Sequence, residues 1–229
     1  MKKIAITGSS GVIGTVLSAG LRKHYDLTLI DKNPSTPDTF KIDLANEYEK
    51  LSSTISGHDA IIHLAWNTEV ENFRSGKIDP DNRKMAYRVY EAASQRKIPR
   101  VLMASSVHAD DYSKWQGPGL MSPDKVPVPD SPYGASKVYV EVLGRYYAKK
   151  YGMEIVCIRF GEVNKTNEIP EDYWESMVYL SHLDCFSLVR KAVEVAKIPD
   201  NFTIVNGISF NKNRVHDNSN LLGWNSRDF

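Results

Sequence analysis

The sequence predicts an α/β fold in which a mostly parallel β-sheet is doubly wound, with helices on both faces. Short apolar segments alternate with longer segments in which apolar residues recur every three or four positions. A glycine-rich turn directly follows the first apolar segment and opens the first helical one, and an aspartate closes the second apolar segment. The alternation indicates strand–helix units, and the turn and the aspartate indicate a binding site at one edge of the sheet.

Each predicted element has a location in the chain. The strands lie at residues 3–7, 27–31, 40–42, 60–65, 101–105, 155–160 and 202–205. The helices lie at residues 12–24, 46–55, 80–96, 133–150 and 184–196. Because the alternation weakens after residue 160, we predict a core over residues 1–160 and a small lobe over residues 161–229, both within one globular domain.

The segment from residue 107 to residue 132 interrupts this alternation. It contains five prolines and two glycines within 26 residues and has no helical or strand period. A connection of that length is typical of a functional loop or of a disordered one.

The composition excludes several classes of function. The 29 basic and 28 acidic residues form no blocks, so we expect no nucleic-acid partner. No apolar stretch reaches the roughly 18 to 20 residues that cross a bilayer, so we expect no membrane association. The six histidines have no metal-binding spacing, so we expect no metal. The two cysteines, Cys157 and Cys185, form no C-x-x-C motif, which favours a reducing, cytoplasmic compartment.

The turn "TGSSGVIG" places Gly8, Gly11 and Gly14 at three-residue spacing between a strand and a helix. Such a turn lets the backbone approach a pyrophosphate, and the start of the helix provides an anion site. A glycine turn can also simply tighten strand–helix packing. Asp31, however, closes the second strand, where a carboxylate accepts hydrogen bonds from an adenosine ribose. Dinucleotide binding is therefore predicted, with NAD favoured over NADP because Asp31 would repel an additional phosphate, although Lys32 adjoins it.

The stretch "SPYGASK" places Tyr133 four residues before Lys137, a spacing that puts both on one helix face. A second pair with this spacing, Tyr146 and Lys150, shows that the spacing alone carries no function. Only the first pair follows a helix-start signal, with a serine suited to the N-cap and a proline suited to the first helical position. We expect the second pair in the core or at an interface.

Five motifs in order resemble the extended short-chain dehydrogenase/reductase family, also called the NAD-dependent epimerase/dehydratase family. They are "TGSSGVIG", "DL" at residues 43–44, "HLA" at 63–65, "ASS" at 104–106 and "YGASK". The resemblance implies a Rossmann-type NAD-binding core over residues 1–160, a substrate-binding lobe after it, and a catalytic set of Ser106, Tyr133 and Lys137.

The resemblance also implies a cofactor site. With the residues of the glycine turn included, the predicted site consists of Gly8, Ser10, Gly11, Val12, Ile13, Gly14, Asp31, Lys32, Asp43, Leu44, Leu64, Ala65, Trp66, Asn82, Ala104, Tyr133, Lys137 and Ile158. Two of these motifs have structural alternatives, a helix N-cap for Asp43 and a strand-end hydroxyl for Ser106.

The catalytic set suits hydride transfer between a carbinol and nicotinamide, because a base must take the hydroxyl proton as hydride leaves carbon. Free tyrosine is a weak acid, with a pKa of about 10. A lysine ammonium about 5 Å away favours the phenolate by about 3 kcal/mol at an effective dielectric near 20. Tyr133 would then act as the acid/base group.

Within the family, the chain is similar to uronate dehydrogenases through "ASSVH" at 104–108, residues 179–199 and "LLGW" at 221–224. The implied substrate residues are Thr68, Ser106, Val107, His108, Tyr133, Glu162 and Trp174. Three of them depart from that group: Val107 stands where it has asparagine, Glu162 where it has serine, and Trp174 where it has the arginine that holds the substrate carboxylate. We therefore expect a neutral or differently charged sugar or polyol.

Two other functions stay open from the sequence. One is a sugar-nucleotide epimerase or dehydratase that recycles tightly bound NAD, and the other is an NAD-binding protein without catalysis. The resemblance further implies a homodimer formed by the helices at 80–96 and 133–150.

Overall fold

The structure is a computed structural model that describes residues 1–68 and 77–227. Seven strands form one sheet: β1 Lys3–Thr7, β2 Asp26–Asp31, β3 Phe40–Lys41, β4 Ala60–His63, β5 Arg100–Ser106, β6 Glu154–Phe160 and β7 Phe202–Gly207. Their order is β3-β2-β1-β4-β5-β6-β7, and every neighbouring pair is parallel. This confirms the predicted doubly wound fold.

The helices are α1 Val12–Leu21, α2 Tyr48–Thr54, α3 Pro80–Gln95, α4 Pro132–Tyr151, α5 Tyr173–Met177 and α6 His182–Glu194. The five predicted helices are all present, with ends that differ from the prediction by three residues or fewer. The short helix α5 was not predicted. It is one turn long and begins where the Asp172 carboxylate accepts hydrogen bonds from the backbone N–H groups of Trp174 and Glu175.

Strand alternation divides the core between the two faces of the sheet. Ile4 and Ile6 of β1 pack with α1 and α6 in one apolar cluster, whereas Ala5 packs with α3 and α4 in another. Most side chains in both clusters are fully buried. Each large apolar side chain buried in this way stabilises the folded state by about 1.5 to 3 kcal/mol. The sheet is therefore held from both faces.

The chain order reverses direction at β1. β2 and β3 lie on one side of β1, and β4 to β7 lie on the other. In such sheets, ligands bind in the crevice outside the carboxyl ends of the strands at this point. The fold thus places a binding crevice next to Thr7 and His63, which are adjacent in register at the ends of β1 and β4.

The proline-rich segment 107–132 is an ordered element with two short 3₁₀ turns, Val107–Ala109 and Tyr112–Lys114. A third apolar cluster packs it against the end of α5 and the residue that follows β7, and consists of Val107, Tyr112, Met121, Met177, Val178 and Ile208. Met121 also forms a single parallel bridge with His216 near the C-terminus. The alternative of a disordered loop is therefore wrong for this segment.

A buried ionic network joins this segment to β6 and α4. The Arg159 guanidinium donates to the Glu141 carboxylate from Nε at 2.8 Å and from Nη2 at 2.9 Å, and to the Asp110 carboxylate from Nη1 at 2.6 Å. All three side chains are at most 3% exposed. Ser105 Oγ donates to Glu141 at 2.6 Å, and Lys125 forms a further ion pair with Asp110. The charges of these buried groups balance each other.

Two elements of the predicted lobe pack directly onto the core. β7 pairs with β6, and α6 packs against α1. Within the described residues, no helix is long and apolar enough to cross a membrane.

Replacing Arg159 with Met is expected to lower the free energy of unfolding by about 3 to 5 kcal/mol, because it leaves Asp110 and Glu141 buried without their partner. The matched control is Arg190→Met, which removes an exposed ion pair with Glu194 and should cost less than about 1 kcal/mol. Urea unfolding of both variants measures the difference. Equal losses in the two variants would show that the buried network is not stabilising the fold.

Candidate active site

The glycine turn lies directly against the residues that follow β4. Gly8 has a φ of 73°, and a Cβ atom there would lie 2.5 Å from the backbone nitrogen of Ala65. Only glycine satisfies both requirements. Leu64 N in turn donates to Thr7 O at 2.9 Å. The structure therefore brings together the predicted cofactor residues of the turn and those of the "HLA" motif.

Asp31 ties the end of β2 to the same turn. Its carboxylate accepts hydrogen bonds from Ser10 N at 2.9 Å and from Asn33 N at 2.8 Å. The neighbouring Lys32 forms an ion pair with Asp43, with Nζ and Oδ2 3.2 Å apart. Although burial opposes it, hydrogen bonds from Asn46 and Lys32 lower the pKa of Asp43, which keeps it ionised. Acidic groups thus line this end of the crevice.

Asp43 is not the N-cap of α2, since that helix begins after Glu47. Its carboxylate instead accepts from Ala45 N at 3.0 Å within the turn that precedes the helix. The structural alternative from the sequence is therefore wrong, and the predicted cofactor role stays a prediction.

The remaining predicted cofactor residues have varied surroundings. Val12 and Ile13 are half-buried in the first turn of α1, whereas Leu44 and Ile158 are buried in the core. Asn82 is fully buried and exchanges two hydrogen bonds with the backbone of Asn67, accepting at 2.6 Å and donating at 3.0 Å. Asn82 thereby fixes the segment after β4, a structural contact that the sequence did not predict.

Tyr133 and Lys137 lie in the first turns of α4, as predicted. Ser131 is the N-cap, accepting from Gly134 N at 3.0 Å, and Pro132 is the first helical residue. Lys137 is 3% exposed, and its Nζ lies 5.6 Å from the centroid of the Tyr133 ring and donates to Ala104 O at 3.3 Å. The positive helix terminus and the ammonium both favour a phenolate at Tyr133.

Ser106 ends β5, and His108 lies in the 3₁₀ turn that follows it and contacts the start of α4. Ser106 is buried, and its Oγ accepts from His108 N at 3.3 Å, so it does cap a 3₁₀ turn. A Cβ atom on Gly134 would lie 1.9 Å from His108 O, so glycine is required for this close approach. The rings of His108 and Tyr133 are 5.8 Å apart. These contacts bring the predicted catalytic residues into one place.

Asp130 and Tyr112 are site residues that sequence reasoning missed. Asp130 Oδ2 lies 2.5 Å from His108 Nδ1, and the Tyr112 ring is 5.7 Å from the His108 ring. Asp130 orients the imidazole, since a carboxylate at one ring nitrogen directs the other toward a ligand. The only sequence signal for Asp130 was its position one residue before the N-cap of α4.

Carboxylates surround the outer part of the site. Burial raises the pKa of Tyr112 to about 12, and the nearby charges of Asp130, Asp172, Glu175 and Glu162 add to the effect. Burial, and then repulsion by Glu175, also raise the pKa of Glu162, whereas His108 opposes the shift. Negative charge therefore accumulates between the segment 107–132 and α5.

The other predicted substrate residues are less closely grouped. Trp174 is 45% exposed on α5, beside Glu175. Thr68 is exposed and is the last described residue before residue 77. The Val107 side chain is buried in the third apolar cluster. Their roles in substrate binding stay predictions.

The second tyrosine–lysine pair lies outside this site. Lys150 Nζ donates to Tyr146 Oη at 2.7 Å, and both residues are exposed near the end of α4. The pair is therefore not part of the core. Among the described residues, no group of three or more histidine, cysteine, aspartate or glutamate side chains could hold a metal ion.

Residues 4–175 match the model of the NAD dependent epimerase/dehydratase family. The chain belongs to this family. The resemblance stated from the five motifs is thereby confirmed, as is the prediction of an NAD-dependent family member.

Several similar proteins are named as sugar dehydrogenases. L-arabinose 1-dehydrogenase (NAD(P)⁺) from Haloferax volcanii is 32% identical, over 100% of this chain and 97% of its own. Uronate dehydrogenase from Agrobacterium fabrum is 30% identical, over 100% of this chain and 85% of its own. A mutant of uronate dehydrogenase from Agrobacterium tumefaciens, crystallised with NAD, superposes with a TM-score of 0.86 at 31% identity, covering 100% of this chain and 85% of its own.

Proposed function

We propose that the protein is an NAD-dependent dehydrogenase that oxidises a sugar hydroxyl, with Tyr133 as the acid/base group. The observation that carries the proposal is the placement of Tyr133 at the start of a helix. The centroid of its ring lies 5.8 Å from that of His108 and 5.6 Å from Nζ of the buried Lys137. Membership of the NAD-dependent family and the sugar dehydrogenases among its relatives support it.

The residues around the glycine turn fit NAD. Gly8 lets the backbone approach a pyrophosphate. Gly11 precedes α1 and has no side chain to cover the free N–H groups of the first turn of that helix. The Asp31 carboxylate is held in position to accept ribose hydroxyl protons. It also supports the predicted preference for NAD over NADP, because it would repel an additional phosphate. When bound, NAD supplies the hydride acceptor.

The chain's own residues account for the proton. As the substrate C–H bond breaks and its electron pair leaves as hydride, the hydroxyl proton passes to the Tyr133 oxygen and a carbonyl forms. Lys137 stabilises the phenolate that receives this proton. The Ser106 hydroxyl can donate to the substrate oxygen, and the imidazole of His108, held by Asp130, can bind a neighbouring hydroxyl.

Tyr133→Phe is expected to lower kcat by about 100- to 10,000-fold, since the base is removed and the ring is kept. Tyr146→Phe is the matched control, because it alters the other tyrosine–lysine pair, and it should retain wild-type turnover. NADH formation measures both variants, and isothermal calorimetry with NAD checks that the fold still binds cofactor. Turnover in Tyr133→Phe near the wild-type rate would rule out the acid/base assignment.

We further propose that the substrate is a neutral sugar or polyol, and for an aldose that oxidation occurs at the anomeric carbon. Glu162 stands half-buried among other carboxylates, so a substrate carboxylate would meet repulsion there. Trp174, exposed on α5 next to Glu175, offers an apolar face that can stack on a sugar ring. A relative named for a neutral pentose supports this substrate class as well as the anomeric position.

The expected specificity is a kcat/KM for neutral aldoses or polyols at least about tenfold above that for glucuronate or galacturonate, which corresponds to about 1.4 kcal/mol. Glu162→Gln should raise kcat/KM for the uronates more than for the neutral sugars. Glu168→Gln, an exposed change in the same segment, is the control and should leave the ratio unchanged. Uronates turned over as fast as neutral sugars by the wild type would contradict the proposal.

We also propose a homodimer formed through α3 and α4. Exposed apolar and aromatic side chains on these helices support it, namely Tyr87, Tyr139, Val142, Tyr146 and Tyr151. Two other tyrosines of these helices, Tyr90 and Tyr147, are buried and do not contribute to this surface. Sedimentation velocity should give twice the chain mass of 25.8 kDa. A single-chain mass at micromolar concentration would contradict a dimer.

The compartment is proposed to be the cytoplasm. Cys157 and Cys185 are free thiols buried in separate parts of the core, as a reducing environment allows. Cell fractionation with detection of the native protein would test this location, and recovery from an oxidising compartment would contradict it.

A further inference from the structure

The Lys137 ammonium lies against an aromatic face. Its Nζ is 3.5 Å from the centroid of the Trp66 ring, well within the distance at which a cation interacts with an indole. The same Nζ donates to the carbonyl of Ala104. Because Lys137 is only 3% exposed, these contacts replace much of the hydration that the ammonium would have in water.

We propose that Trp66 is a positioning residue for the Tyr133–Lys137 pair: its indole face holds the ammonium beside Tyr133 without neutralising the charge. This inference deepens the proposed function and rests on it only for the assignment of Tyr133 as the acid/base group.

The chemical type of the partner matters. A carboxylate in contact with Lys137 would stabilise the ammonium, but its negative charge would cancel most of the field that reaches Tyr133. An indole face and a backbone carbonyl are neutral, so they stabilise the ammonium and leave its full charge to act on the phenol. Trp66 and Ala104 are partners of this neutral type.

His63 is a further neutral group near Lys137. It is fully buried at the end of β4, and its Nδ1 lies 2.7 Å from Thr7 Oγ1. Burial, and then the charge of Lys137, lower the pKa of His63 to about 3, so the imidazole carries no charge at neutral pH. It therefore adds no second cation beside the ammonium.

Trp66 is itself held in place. Its side chain packs against the apolar cluster that includes residues of α3 and α4. The next residue, Asn67, is fixed by the two hydrogen bonds that its backbone exchanges with Asn82. A flexible lysine side chain thus meets an indole that is packed against the core, which restricts the positions that its ammonium can take.

Other titratable groups face the pair from the segment after β5. His108 lies 5.8 Å from the Tyr133 ring and is bonded to Asp130, and Glu162 of the segment after β6 interacts with His108. Glu141 follows Lys137 on α4 but is bonded to Arg159 and Ser105. A substitution at residue 66 changes none of these groups, so a shift in the ionisation of Tyr133 reports on the indole contact.

The test follows the ionisation of Tyr133 directly, and it needs no substrate. Protein labelled with ¹³C at tyrosine Cζ is titrated by NMR, and the Tyr133 resonance is assigned from its loss in Tyr133→Phe. Trp66→Leu removes the aromatic face, and Trp66→Phe keeps a smaller one. The matched control is Phe202→Leu. It removes a comparable cation–aromatic contact from Arg145, which lies on α4 as Lys137 does and whose Cζ is 4.3 Å from the centroid of the Phe202 ring.

Trp66→Leu is expected to move the titration midpoint of Tyr133 to higher pH by about one unit, a tenfold change in its ionisation. Trp66→Phe should restore part of the shift, and Phe202→Leu should leave the midpoint at its wild-type value. An unchanged midpoint in Trp66→Leu, or equal shifts in Trp66→Leu and Phe202→Leu, would overturn the inference. If the midpoint responds as expected but no sugar is oxidised, the proposed function fails and the role of Trp66 stands.

Discussion

The buried guanidinium of Arg159 is the contact on which the arrangement of the site depends. It lies on β6 and binds two carboxylates, Asp110 in the segment 107–132 and Glu141 on α4. Each carboxylate would be costly to bury alone, so the three side chains are stable only together. The segment carries His108, and the helix carries Tyr133. The network therefore fixes the position of His108, which is expected to orient the substrate, relative to Tyr133, which is expected to take its proton. Catalysis requires such positions to be held to within a fraction of an ångström.

The site separates charge into two regions. Next to Tyr133, an ammonium contacts an indole face and a backbone carbonyl, two neutral groups that leave its field available to a phenolate. Farther from Tyr133, Glu162 and the carboxylates near Tyr112 give the site a negative electrostatic potential. The first region is suited to withdrawing a proton from a hydroxyl, and the second disfavours an anionic substrate. Together they support the proposal that this chain, although similar to uronate dehydrogenases, takes a neutral sugar.

The sequence predicted the features that depend on local pattern. The seven strands, the glycine turn and the start of α4 at Pro132 all follow from periodicity and capping chemistry. It did not predict the ionic network, because Arg159 sits in an apolar strand and its partners are 18 and 49 residues away. Asp130 was missed for the same reason, since its contact with His108 spans 22 residues. The contact of Trp66 with Lys137 depends on side-chain direction, and α5 is too short to show a period.

The most direct test of the proposed reaction traces the hydrogen atom that leaves the sugar, in addition to measuring NADH by absorbance. The protein is incubated with NAD and the best neutral aldose, deuterated at C1. Net hydride transfer from C1 to NAD should make NADH accumulate with one deuterium per molecule of sugar oxidised, and the sugar product should no longer carry the label. An epimerase or dehydratase mechanism would instead return the hydride within each cycle. Deuterium kept in the sugar, with no accumulation of NADH, would contradict the account.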